Sequence, residues 1–152
     1  MQIQNDIIDT VFCDVLEQLA FMFGESVPVD EMPEAVDNGL AATMNFSGDS
    51  TGVITLVIPA DMRGEFADNI LGMDLDADAG VEDEDDAVRE VLNIIAGNVL
   101  TALAGENALF DLAVPETRHI LSDEWDSILS DSGSICFMLD EMPVILNLAV
   151  EG

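Results

Sequence analysis

Residues 86–105 constrain this chain most, because they divide between two faces of one helix. At roughly 100° per residue, Asp86, Glu90, Asn93, Gly97 and Thr101 share a narrow sector. Val88, Leu92, Ile95, Val99 and Leu103 fall in the opposite one. An apolar stripe of that length needs a second layer to cover it. The polar stripe has its own character: a solvated face more often carries Lys, Arg and several Glu, whereas this one carries an acid, an amide and a gap. It reads as a face made for close approach.

The rest of the chain supplies the covering layer. Residues 3–23 predict a second amphipathic helix, with Ile7, Ile8, Val11, Val15, Leu16, Leu19 and Met22 at helical spacing and Gly24 as its stop. Pro28 and Pro33 mark a loop. Leu40–Phe46 and Gly52–Ile58 read as strands joined by the hairpin chemistry of Ser47–Thr51. A short helix follows over 61–71, an acidic loop over 72–84, and a strand at 110–114 broken by Pro115. A second hairpin runs from Ile135–Leu139 to Val144–Val150, turning through Asp140–Pro143.

Phe23-Gly-Glu25 recurs as Ala104-Gly-Glu106, 81 positions later. Gly48–Leu56 resembles Ser130–Met138, 82 positions later. The offset predicts a duplicated α-β-β unit. In that register Glu90 and Asn93 correspond to Asp9 and Phe12, so one half alone carries the amide. The order predicts an α+β layered domain, a single unit over 1–152, with both long helices packed on a mostly antiparallel sheet. The Val-, Ile- and Leu-rich strands flanking 52–58 would be an aggregation hazard as an open edge, which predicts a homodimer through edge strands.

With 49% apolar residues the chain can bury a core despite 32 acidic residues against three basic ones, Arg63, Arg89 and Arg118. The net charge of −29 excludes nucleic acid and anionic lipid as partners. It fits solubility in a saline cell, or the steering of a cationic partner. The first residues lack the positive charge of a signal peptide, and no apolar run approaches about 18 residues, so no membrane span is expected. Cys13 and Cys136 lie far apart in apolar patterns and read as buried thiols of a reducing cytoplasm. A lone His119 leaves no His-based zinc site or triad. The scattered Met residues read as core filler. Trp125, within Ser122–Asp126, is either an exposed partner anchor or a half-buried loop plug. Asp74–Asp85 resembles a Ca²⁺-binding EF-hand loop, but Ala79 stands where the turn needs Gly, and Asp85 where a bidentate Glu belongs. It reads as an acidic loop, with no metal expected.

The spacing Asp86-x3-Glu90-x2-Asn93, followed by Ile94-Ile-Ala-Gly-Asn98, carries a family resemblance. Phe46-Ser-Gly-Asp49 turning into a strand, the duplicated layout and Pro115 downstream extend it. The chain resembles the CheC/CheX/FliY chemotaxis phosphatases, most closely CheX, which carries one such motif; the family's proline falls one position later. The resemblance implies a cytoplasmic enzyme that hydrolyses the phosphoaspartate of a CheY-type response regulator. Asn93 would position the attacking water, and Glu90 would dock against the receiver's lysine. It implies no cofactor of its own, because the receiver holds the Mg²⁺. Asp86 and Gly97 would face the partner, Gly97 leaving room for a docking backbone. The alternative is a non-catalytic module that binds a receiver or flagellar switch component, although a binder has no need of the amide.

Overall fold

The middle of the molecule is a seven-stranded sheet in which every pairing is antiparallel. The computed structural model describes residues 3–33, 36–71 and 81–151. Helix α1 (Asn5–Ala20) leads into strand β1 (Gly24–Val27) and a 3₁₀ turn (Val29–Glu31). The hairpin β2 (Gly39–Gly48) and β3 (Thr51–Pro59) follows. A 3₁₀ turn (Ala60–Met62) then opens α2 (Arg63–Leu71), and the long α3 (Val81–Ala104) comes next. Strands β4 (Phe110–Leu112) and β5 (Glu116–Ile120), helix α4 (Ser122–Leu129) and the hairpin β6 (Ser134–Leu139) and β7 (Met142–Glu151) complete the order.

Alternation along the strands divides the sheet into two apolar faces. One carries Leu40, Ala42, Met44, Phe46, Ile54, Leu56, Val144 and Leu146, and packs against α1, α2 and α3. Phe12 of α1 stacks on Phe137 of β6, with ring centroids 4.2 Å apart. The other face carries Ala41, Val57, Ile120 and Ile145, and is capped by Trp125 of α4. Trp125 is therefore neither an exposed anchor nor a half-buried plug, at 1% exposure. Cys136 is buried and Cys13 half-buried; burial first, then Asp9 beside it, pushes the Cys13 thiol up to about 12, and burial raises Cys136 as well.

The strand order is β1-β6-β7-β3-β2, with β4 and β5 both on the far side of β2. The two halves of the chain are therefore related as mirror entries in one sequence of strands. β3 and β7 pair at the centre, β2 and β6 flank them, and each half's edge strand joins the other half's hairpin. The duplication is present as layout, but its predicted register is wrong. Gly48–Leu56 covers the turn into β3, while Ser130–Met138 leads into β6, the counterpart of β2. The helices correspond at their ends, Ala20 and Ala104, 84 positions apart. An offset of 81 would put buried Phe12, Leu16 and Ala20 opposite the outward stripe of Asn93, Gly97 and Thr101.

Several boundaries also move. α1 stops at Ala20 because Phe21 adopts φ 56°, a left-handed cap that lets Met22 donate to the Leu16 carbonyl at 3.2 Å and turn back into the core. Gly24 instead starts β1 within the expected loop. The second hairpin turns on two residues, Asp140 and Glu141, both at positive φ (48° and 71°). Asp140 exchanges hydrogen bonds with the Phe23 backbone, 2.9 and 3.1 Å long. The predicted edge argument fails, because β3 lies between β2 and β7; the open edges are β1 and the β4–β5 line. Residues 72–80, which hold most of the EF-hand-like run, lie outside the described residues, and helix already runs from Val81. The segment Glu84–Ala104 reaches the length and mean hydropathy of a membrane span although charged and amide residues interrupt it; its apolar side is core of this fold.

Candidate active site

Helix α3 presents the two predicted faces. Val88, Leu92, Ile95 and Val99 are fully buried and Leu103 is half-buried, whereas Asp86, Glu90, Asn93 and Thr101 are exposed. Burying one stripe fixes the helix's rotation, and so aims the other outward. The two amides on this helix then differ in use. Asn98 donates to the Ile94 carbonyl of its own helix at 2.8 Å. Among the described residues no intramolecular partner engages the side chains of Glu90 and Asn93. A free amide one turn from a free carboxylate can offer a donor, an acceptor and a negative charge to one bound surface.

That stripe is one wall of a groove of ≈ 420 Å³, to which the helix contributes Asp86, Arg89, Glu90 and Asn93. The opposite wall is Leu112–Pro115, the break between β4 and β5. Ala113 still donates to the Asn45 carbonyl of β2 at 2.9 Å. Pro115 has no N–H to give the ladder, so pairing lapses there and resumes at Glu116. The lapse lifts Val114 into solvent at 83% exposure beside half-exposed Leu112. The sequence pattern identified the helical wall and missed this one. Its one signal was Pro115, read as a strand break and as part of the family pattern, not as a wall of the site.

Arg89 lines the groove and joins α3 to β5. One guanidinium nitrogen donates to the Thr117 hydroxyl of β5 at 3.0 Å and another pairs with Asp86. Asp86 is therefore turned to its own helix as well as to the groove. Gly97 lies one turn beyond Asn93, outside the groove's lining, and a Cβ built there meets nothing within 4 Å.

The other half of the chain carries a smaller groove of ≈ 320 Å³ between Asn5, Asp6 and Asp9 of α1 and the Val27–Pro28 end of β1. In the structural register, Asp6 and Asp9 occupy the places of Glu90 and Asn93. Asp9 accepts from Ser26 at 2.7 Å and from the Cys13 thiol. An ionised carboxylate accepts only, and this one is already engaged. The position equivalent to Asn93 carries no amide, as expected, although the residue there is Asp9 rather than Phe12. Among the described residues, no group of three or more His, Cys, Asp or Glu is placed to hold a metal ion.

The sequence model for chemotaxis phosphatase CheX matches residues 40–136, and the chain belongs to that family. No curated protein matches it by sequence. It is similar in fold to the CheX protein of Desulfovibrio desulfuricans, at 19% identity and TM-score 0.68, over 96% of this chain and 97% of that one. A chemotaxis protein of Desulfovibrio vulgaris Hildenborough is similar over 97% and 96% of the two chains (18% identity, TM-score 0.69). CheX of Borrelia burgdorferi, crystallised as a CheX–CheY–BeF3–Mg²⁺ complex, covers 97% of each chain at 19% identity and TM-score 0.59.

Proposed function

We propose that this protein hydrolyses the phosphoaspartate of a CheY-type receiver, with Asn93 orienting the attacking water and Glu90 docking against the receiver's lysine. The observation that carries the reading is the Glu90–Asn93 pair, without intramolecular partners among the described residues, on the wall of an open groove in a chain of the CheX family. An acyl phosphate is already activated, so the partner must chiefly hold a water in line with phosphorus. The Asn93 amide can accept from that water and donate toward the phosphoryl oxygens, and no general base with a tuned pKa is needed. The receiver supplies the phosphoaspartate and the Mg²⁺, and this chain supplies no cofactor. The reading takes residues 1–152 as one cytoplasmic phosphatase domain, supported by a sheet that draws strands from both ends of the chain. Release of inorganic phosphate from a phosphorylated receiver with Mg²⁺ is the test. No acceleration across several receivers and salt concentrations would reduce the groove to a docking surface.

Glu90→Ala should weaken receiver binding roughly 10-fold, the scale of one hydrogen bond to a charged group, and Glu90→Lys should weaken it further. Gly97→Met, filling the open space beyond the amide, should weaken the same isotherm. Titration against a receiver locked in its activated state reads all three, and unchanged isotherms would remove these residues from the interface.

Two copies would pair through β1, since the other open edge forms the groove's lip. Light scattering should then give a dimer mass, rising in occupancy with salt as repulsion between two highly acidic chains is screened. A monomer mass at every salt concentration would rule the pairing out.

A further inference from the structure

We propose that Arg89 is a positioning residue: held by Thr117 and Asp86, it sets the spacing between Asn93 and the Val114–Pro115 lip. The inference rests on the phosphatase reading of the groove and assigns parts to three residues that reading leaves idle.

All three cations of this chain fasten neighbouring elements. Arg63 at the start of α2 reaches Glu84 and Asp85 at the start of α3, at 3.8 and 3.4 Å. Arg118 on β5 pairs with Glu124 on α4. Arg89 joins α3 to β5, and it does so in the wall of the candidate site. It makes the one side-chain hydrogen bond between α3 and the β4–β5 line found among the described residues.

The energetics point to geometry rather than stability. The Arg89–Asp86 pair is part-exposed, at 27% and 55%, and such pairs contribute little to folding. The rest of the contact between α3 and the sheet runs through its buried apolar stripe, which sets the helix's rotation but, being non-directional, aims no bond at the lip. A planar guanidinium with one nitrogen on Thr117 and another on Asp86 is directional in both bonds. Val114 and Pro115 lie three and two residues before Thr117 in the same edge line, so fixing Thr117 against α3 fixes the lip against Asn93. An in-line water needs that spacing held to well under an ångström.

The test compares Thr117→Val, Thr117→Ser and Arg89→Lys with the wild type in phosphate release. The side-chain amide resonances of Asn93 and Asn98 are followed in the free protein. Thr117→Val keeps the shape and removes the hydroxyl acceptor; Arg89→Lys keeps the charge and loses the fork. Both should lower kcat roughly 10-fold with KM little changed, and both should shift the Asn93 resonances while leaving Asn98 in place. Thr117→Ser should restore both readouts. Unchanged kcat in Thr117→Val and Arg89→Lys, or a fall no larger than the loss of folded protein, would overturn the inference. If the wild type releases no phosphate, the phosphatase reading falls by itself. The resonances then decide the geometry: unmoved Asn93 signals refute it and moved ones uphold it.

Discussion

Asn93→Ala is expected to return phosphate release to the receiver's own rate, a loss of about 100-fold or more in the catalysed step, with the fold intact. The magnitude follows from what removal of one preorganised hydrogen-bonding group costs in a reacting site. The intact fold follows from placement: Asn93 is exposed, bonds to nothing among the described residues, and gives way to a better helix former. Receiver binding should survive, because Glu90 remains. Asn98→Ala is the control on the same helix; its amide is bound to Ile94, and it should turn over normally. Single-turnover hydrolysis of a phosphorylated receiver, with far-ultraviolet circular dichroism on each variant, reads both claims. Near-normal turnover by Asn93→Ala would end the water-positioning mechanism.

Trp125→Ala is expected to cost about 3–5 kcal/mol of stability, the range for emptying a large aromatic from a packed site. The buried cluster it caps is small, Ala41, Val57, Ile120 and Ile145, with Met32, Val36, Ile128 and Leu129 only partly covering it. Gly39 leaves no slack either, since a Cβ there would already stand 3.2 Å from the indole. The midpoint of thermal unfolding should fall on the order of 10 °C. Phosphate release by the folded fraction should be unaffected, because α4 and α3 lie on opposite faces of the sheet. A midpoint within a degree or two of wild type would mean that α4 is not part of the core.

The parts legible in the sequence were those with a strong period or a turn signature. α3 showed both faces because apolar burial from Ala87 to Leu103 repeats the same sector turn after turn. The hairpins showed because Ser47–Thr51 is turn chemistry between Val- and Ile-rich runs. β5 and α4 were invisible for the opposite reason: Glu116-Thr-Arg-His-Ile120 buries only Ile120, and Ser122–Leu129 buries only Trp125. An edge strand and a two-turn helix leave too few buried positions to make a pattern. Phe21 as a left-handed cap contradicted the usual preference for glycine there, so the helix end was read too late. The groove's second wall could not be read from local pattern, because Leu112–Pro115 meets Glu90 and Asn93 only once β4 is paired to β2. The repeat was legible as an idea and misplaced by three residues, close to one helical turn, which is the error that short sequence matches permit and buried side chains forbid.

The exchange of edge strands between the two halves has a consequence for how such a molecule can exist at all. One α-β-β-β unit by itself would leave its hairpin's outer side bare and its own first strand with nothing to pair. Two separate units related by a two-fold axis would satisfy both, each lending a strand to the other, as in a domain-swapped dimer. Joining them in tandem turns a second-order encounter into a first-order one, with the partner strand held at the effective concentration a short tether allows. This chain is, in that sense, a swapped dimer that dilution cannot take apart, and covalent continuity lets its two corresponding grooves differ, one lined by Asn93 and the other by Asp9.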